Sequence, residues 1–267
     1  AEGKLERARA KLEEFVALAP TRLEARVLRA RFEAESGAPA RALALLERIP
    51  REKTTPELVR LASRLEVEAE VAATVRRWRG GERAEARQVL LRLQESHDLE
   101  PDHLAAVATG WSKVGVHERA LAALREAIAL REDPGPGLLL QLAGTLLGAG
   151  RHAELAELLE RLGRTPMPSR RERRDLDAIR IAFAVQRADR AREAGDHARA
   201  FERLSPLLEA HPEDPALLSA LGRLFRSSGR LAEAREVFAR MLERDPGDVD
   251  AREAAVGTHL ALGERAP

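Results

Sequence analysis

The sequence predicts an all-α solenoid of repeated helix–turn–helix units, and three observations predict it. Seven times a glycine is followed five residues later by an alanine or leucine that opens an apolar stripe: Gly3/Ala8, Gly37/Ala42, Gly81/Ala86, Gly115/Ala120, Gly150/Leu155, Gly195/Ala200 and Gly229/Ala234. With an unpaired Gly263, the glycines stand 34, 44, 34, 35, 45, 34 and 34 residues apart. Apolar residues recur at helical spacing on both sides of each glycine, as two helices joined at a tight turn require. Glycine suits the turn because it adopts backbone conformations that other residues resist.

A period of 34 residues with a helix on either side is the signature of tetratricopeptide repeats. The expected fold is a right-handed tetratricopeptide-repeat superhelix of about fourteen helices, with two lengthened, irregular repeats. The chain opens on a second helix, marked by Ala8, Leu12 and Phe15 and stopped at Pro20. It closes on a first helix running from Ala251 to Leu262. Both ends fall inside a repeat, so residues 1–267 are expected to be one fragment of a longer array.

Between these ends the elements follow the glycines. Gly37 and Ala42 lead to a break at Ile49-Pro50, a polar run through Thr55 and a restart at Pro56. The helix from Pro56 toward Gly81 should last roughly seven turns at 3.6 residues per turn. Leu104, Ala108 and Trp111 precede Gly115, and Ala120, Leu124 and Ala127 follow it. Pro134-Gly135-Pro136-Gly137 reads as an inter-repeat turn, since proline lacks the amide that a phosphate loop uses. Leu139, Ala143 and Leu146 lead to Gly150, with Leu155, Leu159 and Leu162 beyond.

A second break runs through Gly163 and Pro166-Met167-Pro168 to Ser169, a helix start like Thr55-Pro56-Glu57. Another long helix then reaches Gly195. The best-formed repeat lies between Pro215 and Pro246: Leu218, Leu221, Gly222 and Phe225 face Ala234, Phe238 and Met241 across Gly229. Asp214-Pro215 and Asp245-Pro246 are stop-and-turn signals. Residues 50–56 and 163–169 are candidate hinges dividing the array into 1–49, 57–162 and 170–267.

Composition narrows the chemistry. One third of the 267 residues are charged, yet the formal net charge is +1 and the signs are interleaved. No strong field exists to attract nucleic acid or an anionic membrane, so neither is an expected partner. No run approaches the roughly 18 apolar residues of a membrane helix, so direct membrane insertion is not expected. Without cysteine there are no disulfides and no thiolate catalysis. The seven histidines show no i, i+4 pairing; His117, His152 and His197 each follow a turn glycine by two and read as exposed rather than metal-ligating. No serine sits in a nucleophile elbow. No enzyme, metal or cofactor is expected.

Two basic clusters stand out as partner contacts. Arg170, Arg171, Arg173 and Arg174 open the second long helix, where cations oppose the helix dipole. Glu172 and Asp175 dilute the patch, and a plain solvated face is the competing reading. Arg76, Arg77, Trp78 and Arg79 form the other cluster. Counting back from Gly81 places Trp78 where first helices line a concave groove, able to stack on a sugar ring or a peptide, whereas Trp111 falls on the packing stripe. Packing against the lengthened helix is the competing reading of Trp78.

The irregular stretches carry a family resemblance. Ile49-Pro50, Pro56-Glu57-Leu58-Val59-Arg60-Leu61 and Gly81 to Ala86 resemble the repeat region of the bacterial cellulose synthase C proteins, the cellulose export family. So do Arg187-Ala188-Asp189, Gly195-Asp196, Leu204-Ser205-Pro206-Leu207-Leu208, Asp214-Pro215-Ala216-Leu217-Leu218 and Leu224-Phe225. Two departures stand beside the match: tyrosine never fills the aromatic position, and the helix before Gly81 lacks a clear small-residue crossing point.

The resemblance implies a periplasmic scaffold of a cellulose synthesis and export complex, linking the synthase to an outer-membrane β-barrel. Its partners would be the protein components of that complex, with contact to glucan or peptidoglycan as a further expectation. Repeat scaffolds of other exopolysaccharide systems, such as the Pel type, are the next reading, and a regulator's interaction domain the third. A chaperone-docking clamp built on lysine and asparagine does not fit, because the chain has no asparagine and four lysines.

Overall fold

The computed structural model describes residues 7–14, 23–96, 100–167 and 169–263. Among them are fourteen α-helices and no strand. They are α1 (7–14), α2 (Leu23–Glu35), α3 (Pro39–Leu46), α4 (Pro56–Arg79), α5 (Arg83–Glu95), α6 (Pro101–Lys113) and α7 (His117–Ala129). There follow α8 (Gly135–Gly148), α9 (His152–Arg164), α10 (Arg170–Glu193), α11 (His197–Ala210), α12 (Pro215–Ser227), α13 (Leu231–Arg244) and α14 (Val249–Ala261). Even-numbered helices from α2 onward end at a turn glycine. Of the sequence landmarks, Gly3, Phe15, Pro20 and Pro168 lie outside the described residues.

The ruler has a physical basis at each turn. Gly37, Gly81, Gly115, Gly150, Gly195 and Gly229 all have φ between 68° and 101°, the left-handed region that disfavours a side chain. Two buried seats then recur in register with the turn glycine. Five residues after the glycine, Ala42, Ala86, Ala120, Leu155, Ala200 and Ala234 are fully buried. Seven residues before it stand Ala30, Thr74, Ala108, Ala143, Ala188 and Gly222, also buried. The helix before Gly81 thus has its crossing point after all: Thr74 occupies the seat, folding its hydroxyl back onto the Glu70 carbonyl at 2.8 Å. That local bond satisfies the buried hydroxyl, so threonine fills a place that alanine or glycine holds elsewhere.

Both lengthened repeats are present as expected. After α3, only 8 residues long, a single 3-10 turn at Arg51–Lys53 leads into α4, of 24 residues. Thr55 caps α4 by accepting from the Leu58 amide, with Pro56 in the first turn. α10 also has 24 residues and starts at a reciprocal capping box between Ser169 and Glu172. The Pro134–Gly137 stretch is only partly a turn, because α8 already begins at Gly135.

The chain divides into two compact units, Ala1–Gly150 and Arg151–Pro267. In the first, Trp111 is fully buried and its indole N–H donates to Gln94 Oε1 at 2.8 Å. Another apolar cluster joins α2, α3 and α4: Ala30, Ala42, Leu46, Ile49, Leu58 and Leu65, with Ile49 and Leu58 flanking the first break. At the position four before Gly37, where Trp111 and Phe225 sit in other repeats, Glu33 is buried and paired to Arg9 at 3.0 Å.

In the second unit α12 is buried on two sides. Leu217, Ala220 and Leu224 pack with α10 and α11, while Leu218 packs with Ala234, Phe238 and Met241 of α13. Leu221, counted in the inner stripe from sequence, is only half-buried; its neighbours Leu217 and Leu224 take that burial because α12 serves two repeats.

Candidate functional site

The first helices α4, α6 and α8 leave a groove along one side of the first unit. It opens into a cavity of about 310 Å³. Alanines 72, 105 and 106 give it a low floor, because each ends at Cβ where a longer residue would fill the channel. Its polar wall carries both signs: Arg64, Glu68, Asp102 and Lys113. A neighbouring hollow shares Thr109, Lys113 and Gln141 with it, so the two form one track.

Hydrogen bonds hold the track rigid. Gln141 Nε2 donates to the Ala105 carbonyl at 2.6 Å and to Thr109 Oγ1 at 2.8 Å, tying α8 to α6. The hydroxyls of Ser112 and Thr145 meet at 3.2 Å on the same pair of helices. Asp102 is held by an ion pair with Arg131. Arg64 Nε lies 3.3 Å from Glu68 Oε1. Burial raises the Glu68 carboxyl above its ordinary value; Arg64 counters this, and the Asp102 charge adds to the rise. Prebuilt, alternating polarity of this kind fits the backbone and mixed side chains of a protein segment.

The residues singled out from sequence fall elsewhere. Trp78 is half-buried near the end of α4, with the Arg83 guanidinium 6.0 Å from its ring centroid. Arg76 and Arg79 beside it are exposed. Trp78 stands three residues before its turn glycine, the position of Ala34 and Ser112, which do line the groove track. In the second unit Arg170, Arg171 and Arg174 are exposed on the first turns of α10. Arg171 approaches Asp175 at 3.8 Å, and Arg174 Nε donates to the Arg170 carbonyl at 3.4 Å. Arg173 donates to the Met167 carbonyl at 2.6 Å, anchoring the end of the break.

The three histidines after turn glycines differ from expectation: none is fully exposed. His117 tucks against α8 at Gly148, where a Cβ would lie 2.9 Å from the ring. His152 meets Phe183 edge-on at 5.4 Å, with its ring nitrogens 3.0 Å from Gln186 and 3.1 Å from Arg190. For His117 and His152 the following first helix supplies the cover. Among the described residues no cluster of three His, Asp or Glu side chains could hold a metal. No described helix is long and apolar enough to cross a membrane.

Comparison with known proteins agrees with this architecture. A tetratricopeptide-repeat family model matches residues 1–65 and 191–255. Cellulose synthase operon protein C of Pseudomonas fluorescens (strain SBW25) is 26% identical over 247 residues, 92% of this chain and 19% of its own length. The protein of the same name from Xanthomonas axonopodis pv. citri (strain 306) is 30% identical over 239 residues, 88% of this chain and 16% of its own. The chain therefore spans less than a fifth of either relative. A solved tetratricopeptide repeat protein from Parabacteroides merdae superposes with a TM-score of 0.52 at 14% identity, covering 90% of this chain and 87% of that one, a likeness of fold alone.

Proposed function

We propose that this tetratricopeptide-repeat solenoid, similar along most of its length to cellulose synthase operon protein C, is a non-catalytic scaffold arm of a bacterial cellulose synthesis and export complex. It acts in the periplasm, holding protein components between an inner-membrane synthase and an outer-membrane pore. The observation that carries this reading is the match over 92% of the chain, which runs through both irregular repeats rather than only through the generic ones. The groove of α4, α6 and α8 is its main protein contact. Trp78 with Arg76 and Arg79, and Arg170, Arg171 and Arg174, are secondary contacts. Stacked repeats suit the task because each packs only on its neighbours, giving a long surface for several partners.

A groove-blocking variant tests this role. Ala105→Arg places a long cation over the alanine floor from a half-buried position at the edge of the α6–α7 core, so accumulation of the variant is measured beside delivery. In a host that makes cellulose, it should lower polymer delivery to the cell surface while the protein accumulates normally. Unchanged delivery with normal accumulation would rule the groove out as the main contact.

A further inference from the structure

We propose that Arg187, Arg199 and Arg203 form a binding site for a phosphate-class oxyanion on the hairpin of α10 and α11. The hairpin closes around Gly195, so residue 187 on one arm and residue 203 on the other stand equally far from the turn. Ala188, Ala200 and Leu204 are buried in the seam between the two helices. The three arginines immediately precede Ala188, Ala200 and Leu204 in sequence, which places them along one edge of that seam. Arg199 and Arg203 are also i, i+4 neighbours on α11 and share a face.

None of the three guanidinium groups forms an ion pair or hydrogen bond with the described residues. Elsewhere in the unit Arg192 and Arg223 pair with Asp189 at 3.2 and 2.9 Å and Arg230 pairs with Glu233 at 3.0 Å; what distinguishes Arg187, Arg199 and Arg203 is that they lie along one edge of a single hairpin seam. The carboxylates close by make no ion pair with these three arginines. Asp196 is committed to the backbone N–H of Arg199 at 3.0 Å, and Asp189 to its two arginines. Glu202, next to Arg203, makes no ion pair with it. Burial depresses the Arg187 guanidinium below its ordinary value, and the neighbouring charges of Arg203 and Arg199 depress it further.

Like charges gathered without a counter-ion are unfavourable, and a bound anion relieves them. Arg187 is also positioned in advance. Its guanidinium carbon lies 5.3 Å from the centroid of buried Phe183, whose ring is wedged against His152. Arginine can only donate, so the contact from Arg190 makes His152 Nδ1 an acceptor and leaves Nε2–H for Gln186. Planar, multiply donating guanidinium groups match the oxygens of phosphate better than a halide, and three of them offset its double charge. The phosphate can belong to a soluble compound or to a lipid headgroup.

The test uses the 267-residue chain titrated with inorganic phosphate against sodium chloride at matched ionic strength, followed by thermal melting. Phosphate should raise the midpoint in a saturable way, by mass action on the folded state. Arg199→Gln and Arg203→Gln should each weaken apparent phosphate affinity by about tenfold or more. Neither should melt lower than the parent without phosphate, since each removes repulsion. Arg161→Gln, at an exposed position of α9, is the control and should keep the full response. Flotation with phosphatidylglycerol or phosphatidylcholine vesicles separates the sources. Arginine-dependent binding to phosphatidylglycerol assigns the site to headgroups, and a phosphate response without flotation assigns it to soluble phosphates. A midpoint that responds to phosphate no more than to chloride, or a response that survives both α11 substitutions, overturns the site.

Discussion

Gly222 lies where any side chain would collide with Phe238: a Cβ there would stand 2.6 Å from two atoms of the buried ring. The contact joins α12 to α13 and explains why the best-formed repeat has no Cβ at this seat. Gly222→Ala should therefore destabilise the second unit by about 1–3 kcal/mol, the range for overpacking a filled core. Chemical denaturation measures it. Phe238→Leu in the same chain should recover part of the loss, whereas a single variant as stable as the parent would show that the ring yields freely.

The buried pair Glu33 and Arg9 makes an asymmetric prediction. Glu33 is 2% exposed and occupies the position held by Trp111 and Phe225 in two other repeats, while the Arg9 side chain keeps 18% of its surface. Arg9→Leu strands a buried carboxylate and should cost about 3–5 kcal/mol. Glu33→Leu should cost less, because Arg9 can turn its head to solvent. The reverse ranking in urea melts would mean that water reaches Glu33.

How much was legible in sequence differs between turn and groove. Spacing located the turn glycines and put Trp111 on the packing stripe, and the residue types that open a helix located the Thr55 and Ser169 caps. Thr74 escaped notice as a crossing residue because its suitability rests on a hydroxyl bond to its own helix. His117 and His152 read as solvated because their cover, Gly148 and Phe183, comes from the next helix. Arg64, Asp102 and Gln141 converge from three helices, and Arg187 meets Arg199 and Arg203 across a hairpin. Linear patterning carries no sign of either meeting.

Glu68 gives the groove a pH signature. Its folded-state carboxyl is raised above the usual 4.5, first by burial, so the folded chain holds this proton more tightly than the unfolded chain. Its contribution to stability therefore falls as pH rises from about 4.5 through the folded value, and the penalty persists at neutral pH. Glu68→Gln should stabilise the chain at pH 7, with the difference vanishing below about pH 4.5. Loss of the half-exposed pair with Arg64 offsets little of this. Equal stability of parent and variant at all pH values would contradict the assignment.

Bending is proposed at residues 50–56 and 163–169. The chain has no cysteine, so introduced pairs can be spin-labelled without background. Labels at exposed residues 41 and 76, and at 157 and 193, should give broad distance distributions. Labels at 202 and 240, with no break between them, should give a narrow one. Equally narrow distributions for all three pairs would remove the hinges.

The scaffold role is challenged hardest in a native cellulose-producing host. The segment corresponding to residues 1–267 is deleted in frame, and cellulose reaching the cell surface is measured beside glucan polymerisation by isolated synthase membranes. Surface cellulose should be lost while polymerisation persists and the outer-membrane pore is still inserted. Normal secretion from that strain, with the pore in place, would sink the scaffold role.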